Sequence, residues 1–167
     1  MDFTKHEISL REVPKYWDGN CFGCSQTNPI GLRLRFWISK DNCLTRCTIS
    51  DEMCGFTGLT HGGIISTLID EVCGWTIITH MGGRLGFTSE MTVRYIKPVP
   101  TNAEIIVKGR IIEENGKYVR VSASIKSSED VLLAEGECKY VIPSPATLAK
   151  LGNIDTAELQ EFMNAYK

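Results

Sequence analysis

The stretch from Ile64 to Ile78 carries apolar side chains on nearly every side of the helix it would form: Ile64, Ile65, Leu68, Ile69, Val72, Cys73, Trp75, Ile77 and Ile78. A helix that is apolar all round belongs inside a core or a bilayer. This one is broken by Asp70 and Glu71 and bounded by glycines, well short of the ~20 residues that span a membrane. The rest of the chain must therefore be built around it. Asp70 and Glu71 sit in the middle of the run, and an unpartnered buried carboxylate either costs several kcal/mol or shifts its pKa upward. At least one of the two should be paired, hydrogen-bonded or at work in a site.

With 167 residues the chain is long enough for one domain with a substantial core. A formal net charge of -2, with no basic patch, argues against nucleic acid or an anionic membrane as partner. The seven cysteines (Cys21, Cys24, Cys43, Cys47, Cys54, Cys73 and Cys138) are an odd number, and the segment Met1 to Glu7 is too polar for a signal peptide. Reduced thiols in a soluble cytoplasmic protein are the expectation.

Residues 1–30 are rich in Gly, Asn, Pro and Cys and read as an irregular N-terminal segment with one short helix near Ile8–Val13. A domain over 31–142 follows. Alternation predicts a strand over Gly31–Ile38, a turn at Asp41-Asn42 and a second strand over Leu44–Ile49. After the helix and a Gly82-Gly83 break, further strands are predicted at Phe87–Tyr95, Glu104–Ile112, Tyr118–Ile125 and from Val131 to Val141, with Asn115-Gly116 as a tight hairpin. The tail 143–167 should start with Pro143 and Pro145 ending the last strand. Asp155 and Glu158 then open a C-terminal helix that packs through Leu159, Phe162, Met163 and Tyr166. Two strands, one long helix and four strands, without βαβ alternation, predict an α+β fold in which a curved antiparallel sheet wraps one central helix. One sheet cannot cover that helix all round, so the terminal segments or a second copy of the chain must complete it.

His61-Gly62-Gly63, Asp70, Thr88 and Tyr95-Ile96-Lys97-Pro98-Val99-Pro100, taken with that element order, resemble the hotdog-fold acyl-CoA thioesterases. The nearest subgroup is the phenylacetyl-CoA-type branch. Cys21-Phe22-Gly23-Cys24 with Asn28-Pro29-Ile30-Gly31-Leu32 is similar to a segment found in several such proteins. The resemblance implies that Asp70 is general base or nucleophile, that the Gly62 backbone N–H polarises the thioester carbonyl, and that Thr88 assists the attacking water. It gives His61 a positioning role. It implies an acyl-CoA substrate, no cofactor beyond the coenzyme A that the substrate carries, and active sites shared between subunits of a dimer or tetramer. Several members have an Asn where this chain has Gly55. The related 4-hydroxybenzoyl-CoA-type enzymes use a glutamate on the same helix, which keeps Glu71 as a second candidate, about 100° around the helix from Asp70.

The residues support part of this independently. With Thr60 as N-cap, the N–H groups of Gly62 and Gly63 would lack partners inside the helix and, with the helix dipole, would attract a developing oxyanion. Asp70 lies about 12 Å further along the axis at 1.5 Å per residue. One thioester carbon cannot touch both ends of that span, so the two groups should come from different protomers. Arg94 and Lys97 are candidates for coenzyme A phosphates. Cys21-x-x-Cys24 has the spacing of half a zinc site, but no second pair accompanies it, and no metal is expected. Two other readings remain open: a non-catalytic acyl-CoA-binding module, and a hotdog hydratase or dehydratase, although Asn28-Pro29 is not followed by the His that such a motif needs. The acyl group is not legible.

Overall fold

The computed structural model describes residues 10–17 and 19–167. Its centre is helix α1, Gly62–His80. The helix starts at an extended His61, whose Nδ1 accepts the Gly63 N–H, and stops where Gly82 and Gly83 take left-handed φ values of 65° and 77°. Strands β1 (Arg11–Glu12), β2 (Trp37–Ile38) and β3 (Cys43–Thr48) precede it. A short hairpin of β4 (Cys54–Phe56) and β5 (Leu59–Thr60) leads into it. Four long strands follow: β6 (Phe87–Tyr95), β7 (Glu104–Asn115), β8 (Tyr118–Ser127) and β9 (Leu132–Val141). Helices α2 (Pro145–Gly152) and α3 (Thr156–Asn164) close the chain.

The main sheet is antiparallel, in the order β1-β2-β3-β7-β8-β9-β6. Period-two alternation gives it one apolar face: Ile105 and Val107 on β7, then Val119, Val121 and Ile125 on β8, are fully buried beneath α1. The helix comes close because the floor lacks side chains at two points. A Cβ on Gly109 would stand 2.5 Å from Thr76 Oγ1, and one on Gly136 would stand 3.0 Å from Ile69 Cγ2. The predicted sheet around a central helix is thus the arrangement present.

The opposite side of α1 is closed near its C-terminal half by the two ends of the chain. Trp75 stacks on Phe36 with centroids 5.0 Å apart, touches Tyr16 at 5.2 Å and faces Tyr166 at 6.4 Å, while Phe162 meets Trp17 edge-on at 5.1 Å. Near the helix start, on the side of β6, Gly62, Ser66 and Asp70 remain partly accessible among the described residues. That strand is an edge of the sheet, and Phe87, Met91 and Tyr95 on it are exposed.

Three expectations are corrected. Within the predicted Ile8–Val13 helix, Ile8 and Ser9 lie outside the described residues, and Arg11–Glu12 is strand β1, because its backbone finds a ladder on Trp37–Ile38. The strand predicted over Gly31–Ile38 forms only at Trp37–Ile38. Arg33 has φ 52°, and the N–H groups of Leu32 and Leu34 turn back to Phe22 O and Gly23 O. The tail holds two helices rather than one, since Ser144 caps α2 and Pro145 occupies its first turn, where proline loses no helical bond. Asp155 caps α3 as the sequence suggests, and Leu159 and Phe162 are buried. The tight hairpin is present, with Asn115 paired to Tyr118 across Gly116-Lys117. Among the described residues no helix is long and apolar enough to cross a membrane.

Candidate active site

The start of α1 differs from the sequence reading by one residue. Thr60 belongs to β5 and its N–H bonds to Val99 O at 2.8 Å, so His61 is the N-cap in its place. His61 Nδ1 accepts the Gly63 N–H at 2.8 Å, which puts the neutral ring's proton on Nε2, and the N–H groups of Ile64 and Ile65 both reach His61 O. Gly63 is therefore not an open donor. The Gly62 N–H has no partner among the described residues, and it sits where the helix dipole concentrates positive potential. Tyr95, at the end of β6, reaches Gly62 O at 3.2 Å and Ser66 Oγ at 2.8 Å, tying strand to helix. Gly55 lies against His61; a Cβ there would be 3.3 Å from His61 Cα. A larger residue at Gly55 would have to displace that backbone.

Asp70 stands two turns further on, where α1 passes the beginning of β6. Thr88 Oγ1 donates to Asp70 Oδ1 at 2.6 Å. The Tyr140 hydroxyl, on β9, is 3.0 Å from the same oxygen and 2.8 Å from the Asp70 carbonyl. Burial, reinforced by the Asp70 charge, pushes the Tyr140 hydroxyl well above the usual phenol range, so it stays protonated and donates. Both donors hold one oxygen of the carboxylate. The other, Oδ2, accepts from none of the described residues and is open to a reacting group. Asp70 and Thr88 were singled out from sequence and are brought together here. Tyr140 was missed, and the available signal was a phenol at an inward position of the last strand, where a buried hydroxyl needs a partner.

Glu71 takes the other side of the helix, under the loop 20–34, with its Oε1 3.4 Å from Cys21 Sγ. Burial pushes its carboxyl up to about 8, and the adjacent Cys21 charge adds to the rise. The Cys21 thiol is lowered to about 5, chiefly by a hydrogen bond with Cys24, whose own thiol is raised. Glu71 and Asp70 are thus consecutive in sequence and separate in space. None of the seven cysteines is in a disulfide.

Arg94 and Lys97 are not gathered with Asp70 within the chain. Arg94 is exposed and pairs with Glu135 Oε1 at 2.5 Å on the sheet face turned away from α1. Lys97 is exposed just past β6, with its N–H on Leu133 O. Beside the helix start, Phe22, Ile30, Met53, His61, Gly63 and Ile64 help to line an open, mostly apolar groove of about 990 Å³.

Residues 57–134 match the family model described as thioesterase superfamily. This segment contains the helix, Asp70 and Thr88. Over 79 residues, 47% of this chain, the sequence is 34% identical to "Acyl-coenzyme A thioesterase THEM4" of Xenopus laevis, and the match spans 35% of that protein's length. Among solved structures, zebra fish thioesterase superfamily member 2 superposes with a TM-score of 0.63 at 14% identity, over 71% of this chain and 90% of that one. A Streptococcus mutans protein solved bound to acetyl CoA superposes with a TM-score of 0.59 at 18% identity, over 66% of this chain and 88% of that one. At these identities the structural likeness speaks to architecture, and that architecture is the hotdog fold.

Proposed function

We propose that this hotdog-fold chain is a thioester hydrolase that cleaves an acyl-CoA to the free acid and coenzyme A, in the manner of the phenylacetyl-CoA-type branch. The observation that carries the reading is the Asp70 carboxylate, anchored through Oδ1 by Thr88 and Tyr140 with Oδ2 open, on a helix whose first glycine N–H is unpartnered. The likeness to a protein described as an acyl-coenzyme A thioesterase supports the same chemistry.

In this reading Asp70 Oδ2 takes a proton from a water that Thr88 helps to orient. The resulting hydroxide adds to the thioester carbonyl, and the oxyanion is stabilised by the Gly62 N–H and the helix dipole. Collapse of the tetrahedral intermediate breaks the C–S bond, and the coenzyme A thiolate recovers the proton held by Asp70. Direct attack by Oδ2, giving an anhydride that water then opens, uses the same groups. Gly62 and Asp70 are about 12 Å apart along one helix, so each site draws Gly62 from one protomer and Asp70 from another. The exposed edge strand β6, next to both groups, is the natural seam for that pairing.

A panel of aliphatic and aromatic acyl-CoA thioesters, read by release of free thiol, tests the assignment and names the acyl class. Turnover of at least one member, abolished in Asp70→Asn, is the expected result. Tight binding of acyl-CoA without thiol release would make the chain a binding module, and turnover unchanged in Asp70→Asn would remove Asp70 from the reaction.

A further inference from the structure

The motif Cys21-Phe22-Gly23-Cys24 with Asn28-Pro29-Ile30-Gly31-Leu32 takes no part in the reaction above, yet its loop is fastened at every turn. Ser25 N–H bonds to Cys21 O at 3.2 Å, Leu32 N–H to Phe22 O at 2.8 Å and Leu34 N–H to Gly23 O at 3.0 Å. Asn28, only 5% exposed, donates to Asn20 O and accepts the Ile30 N–H. What this scaffold does is press the two cysteines onto α1 at Glu71. A Cβ on Gly23 would stand 2.2 Å from Glu71 Cδ and 2.6 Å from its Oε1, so a side chain at position 23 would push the carboxylate out of its present place.

We propose that Cys21, Cys24 and Glu71 form a binding site for one zinc ion, with the fourth position left to water, which clips the 20–34 loop to α1 one residue from Asp70. The three donor atoms lie within 4.8 Å of one another, and Cys21 Sγ is 3.4 Å from Glu71 Oε1. A tetrahedral ion with Zn–S near 2.3 Å and Zn–O near 2.1 Å needs S···S of about 3.8 Å and S···O of about 3.6 Å, and the Cys21–Glu71 separation of 3.4 Å is close to the second of these. The Cys24 N–H points at Cys21 Sγ at 3.4 Å, the outer-shell donor that a ligating thiolate takes. Two sulfurs and one carboxylate select a borderline-soft ion over magnesium or calcium. The sequence argument against zinc was ligand count, and the fold raises that count from two to three by bringing in Glu71 from 50 residues away. Three protein ligands with one open position make a complete zinc set of the open kind.

The test uses the full chain, reduced and freed of metal, titrated with Zn²⁺ against a chromophoric chelator and with Co²⁺ while following thiolate-to-cobalt charge transfer. One equivalent per chain with that charge-transfer band is expected. Cys21→Ser and Cys24→Ser should each weaken binding by ~100-fold or more, and Glu71→Gln and Gly23→Ala by ~10-fold or more. A second measurement needs no variant: bound Zn²⁺ should protect the partly accessible Cys21, but not the exposed Cys54, from maleimide, as read by peptide mass spectrometry. Equal labelling with and without zinc would overturn the proposal, as would stoichiometric binding that survives the double cysteine variant. So would a reduced chain that binds no metal and simply oxidises to a Cys21–Cys24 disulfide. Occupancy and labelling do not depend on hydrolysis, so this site and the hydrolase reading can fail separately.

Discussion

The two neighbouring carboxylates of α1 show how one residue step decides chemistry. Asp70 faces β6 and β9 and meets two hydroxyl donors; Glu71, turned about 100° away, meets two thiols. Asp70→Asn is nearly isosteric and keeps Thr88 and Tyr140 within reach, so it should fold normally and lose about 100-fold or more in kcat, the scale of a lost general base. Circular dichroism and thiol-release kinetics on the same sample check both halves. Thr88→Val removes the hydroxyl that anchors Oδ1 while preserving the β-branched shape that suits a strand, and should lower kcat by ~10-fold or more. Thr88→Ser restores the hydroxyl and should recover most of the loss. Equal activity in the valine and serine variants would show that the hydroxyl has no role.

At the scale of elements, the helix start and the edge strand carry the argument. Gly62 is the first residue of α1 and follows a His61 held at φ -61° and ψ 139°, an extended conformation that suits a residue before proline. Gly62→Pro should therefore fold, because proline is tolerated at the first helical position, and a Cβ there meets nothing nearer than 3.7 Å. It removes just the N–H assigned to the oxyanion, and kcat should fall by ~100-fold. Normal turnover in the folded variant would shift the donor elsewhere. On β6, Met91→Lys sets a charge on an exposed edge; if the proposed dimer pairs along this strand, the wild-type chain should sediment as a dimer and the variant shift toward monomer. An unchanged dimer would put the subunit seam on another surface.

For the whole molecule, the proposed sharing of Gly62 and Asp70 between protomers has a direct consequence. Gly62→Pro and Asp70→Asn, each nearly inactive, should complement when unfolded together and refolded in equal amounts. Random pairing makes half the dimers mixed, and each mixed dimer has one site with both defects and one with neither, so about a quarter of wild-type activity should return. Subunit exchange without recovery would place the site inside one chain. The aromatic closure over Trp75 is a separate matter of stability. Phe162, 1% exposed, packs on Trp17 and Tyr166 and shares no ring contact or hydrogen bond with Asp70, Thr88 or Tyr140 among the described residues, so Phe162→Ala should cost about 3–5 kcal/mol in urea unfolding. The folded fraction should keep its kcat.

Periodicity and short-range chemistry alone set the central helix, the four long strands after it, the Asn115-Gly116 corner and the Asp155 cap. In each of these the local preference and the buried face agree. The pairing of Asp70 with Thr88 was legible only because the motif order resembles a known family, since nothing local links a helix aspartate to a strand threonine. Tertiary structure decided the rest. Arg11–Glu12 and Gly31–Leu34 departed from their local patterns because backbone groups elsewhere offered hydrogen bonds that the isolated segments lack. His61 displaced Thr60 as the helix cap once Thr60 was bonded to Val99. Tyr140 and Glu71 acquired their partners, Asp70 on one side of α1 and Cys21 with Cys24 on the other, from segments 50 to 70 residues away. Contacts at that separation exist only after the sheet has closed around the helix, and no window along the chain contains them.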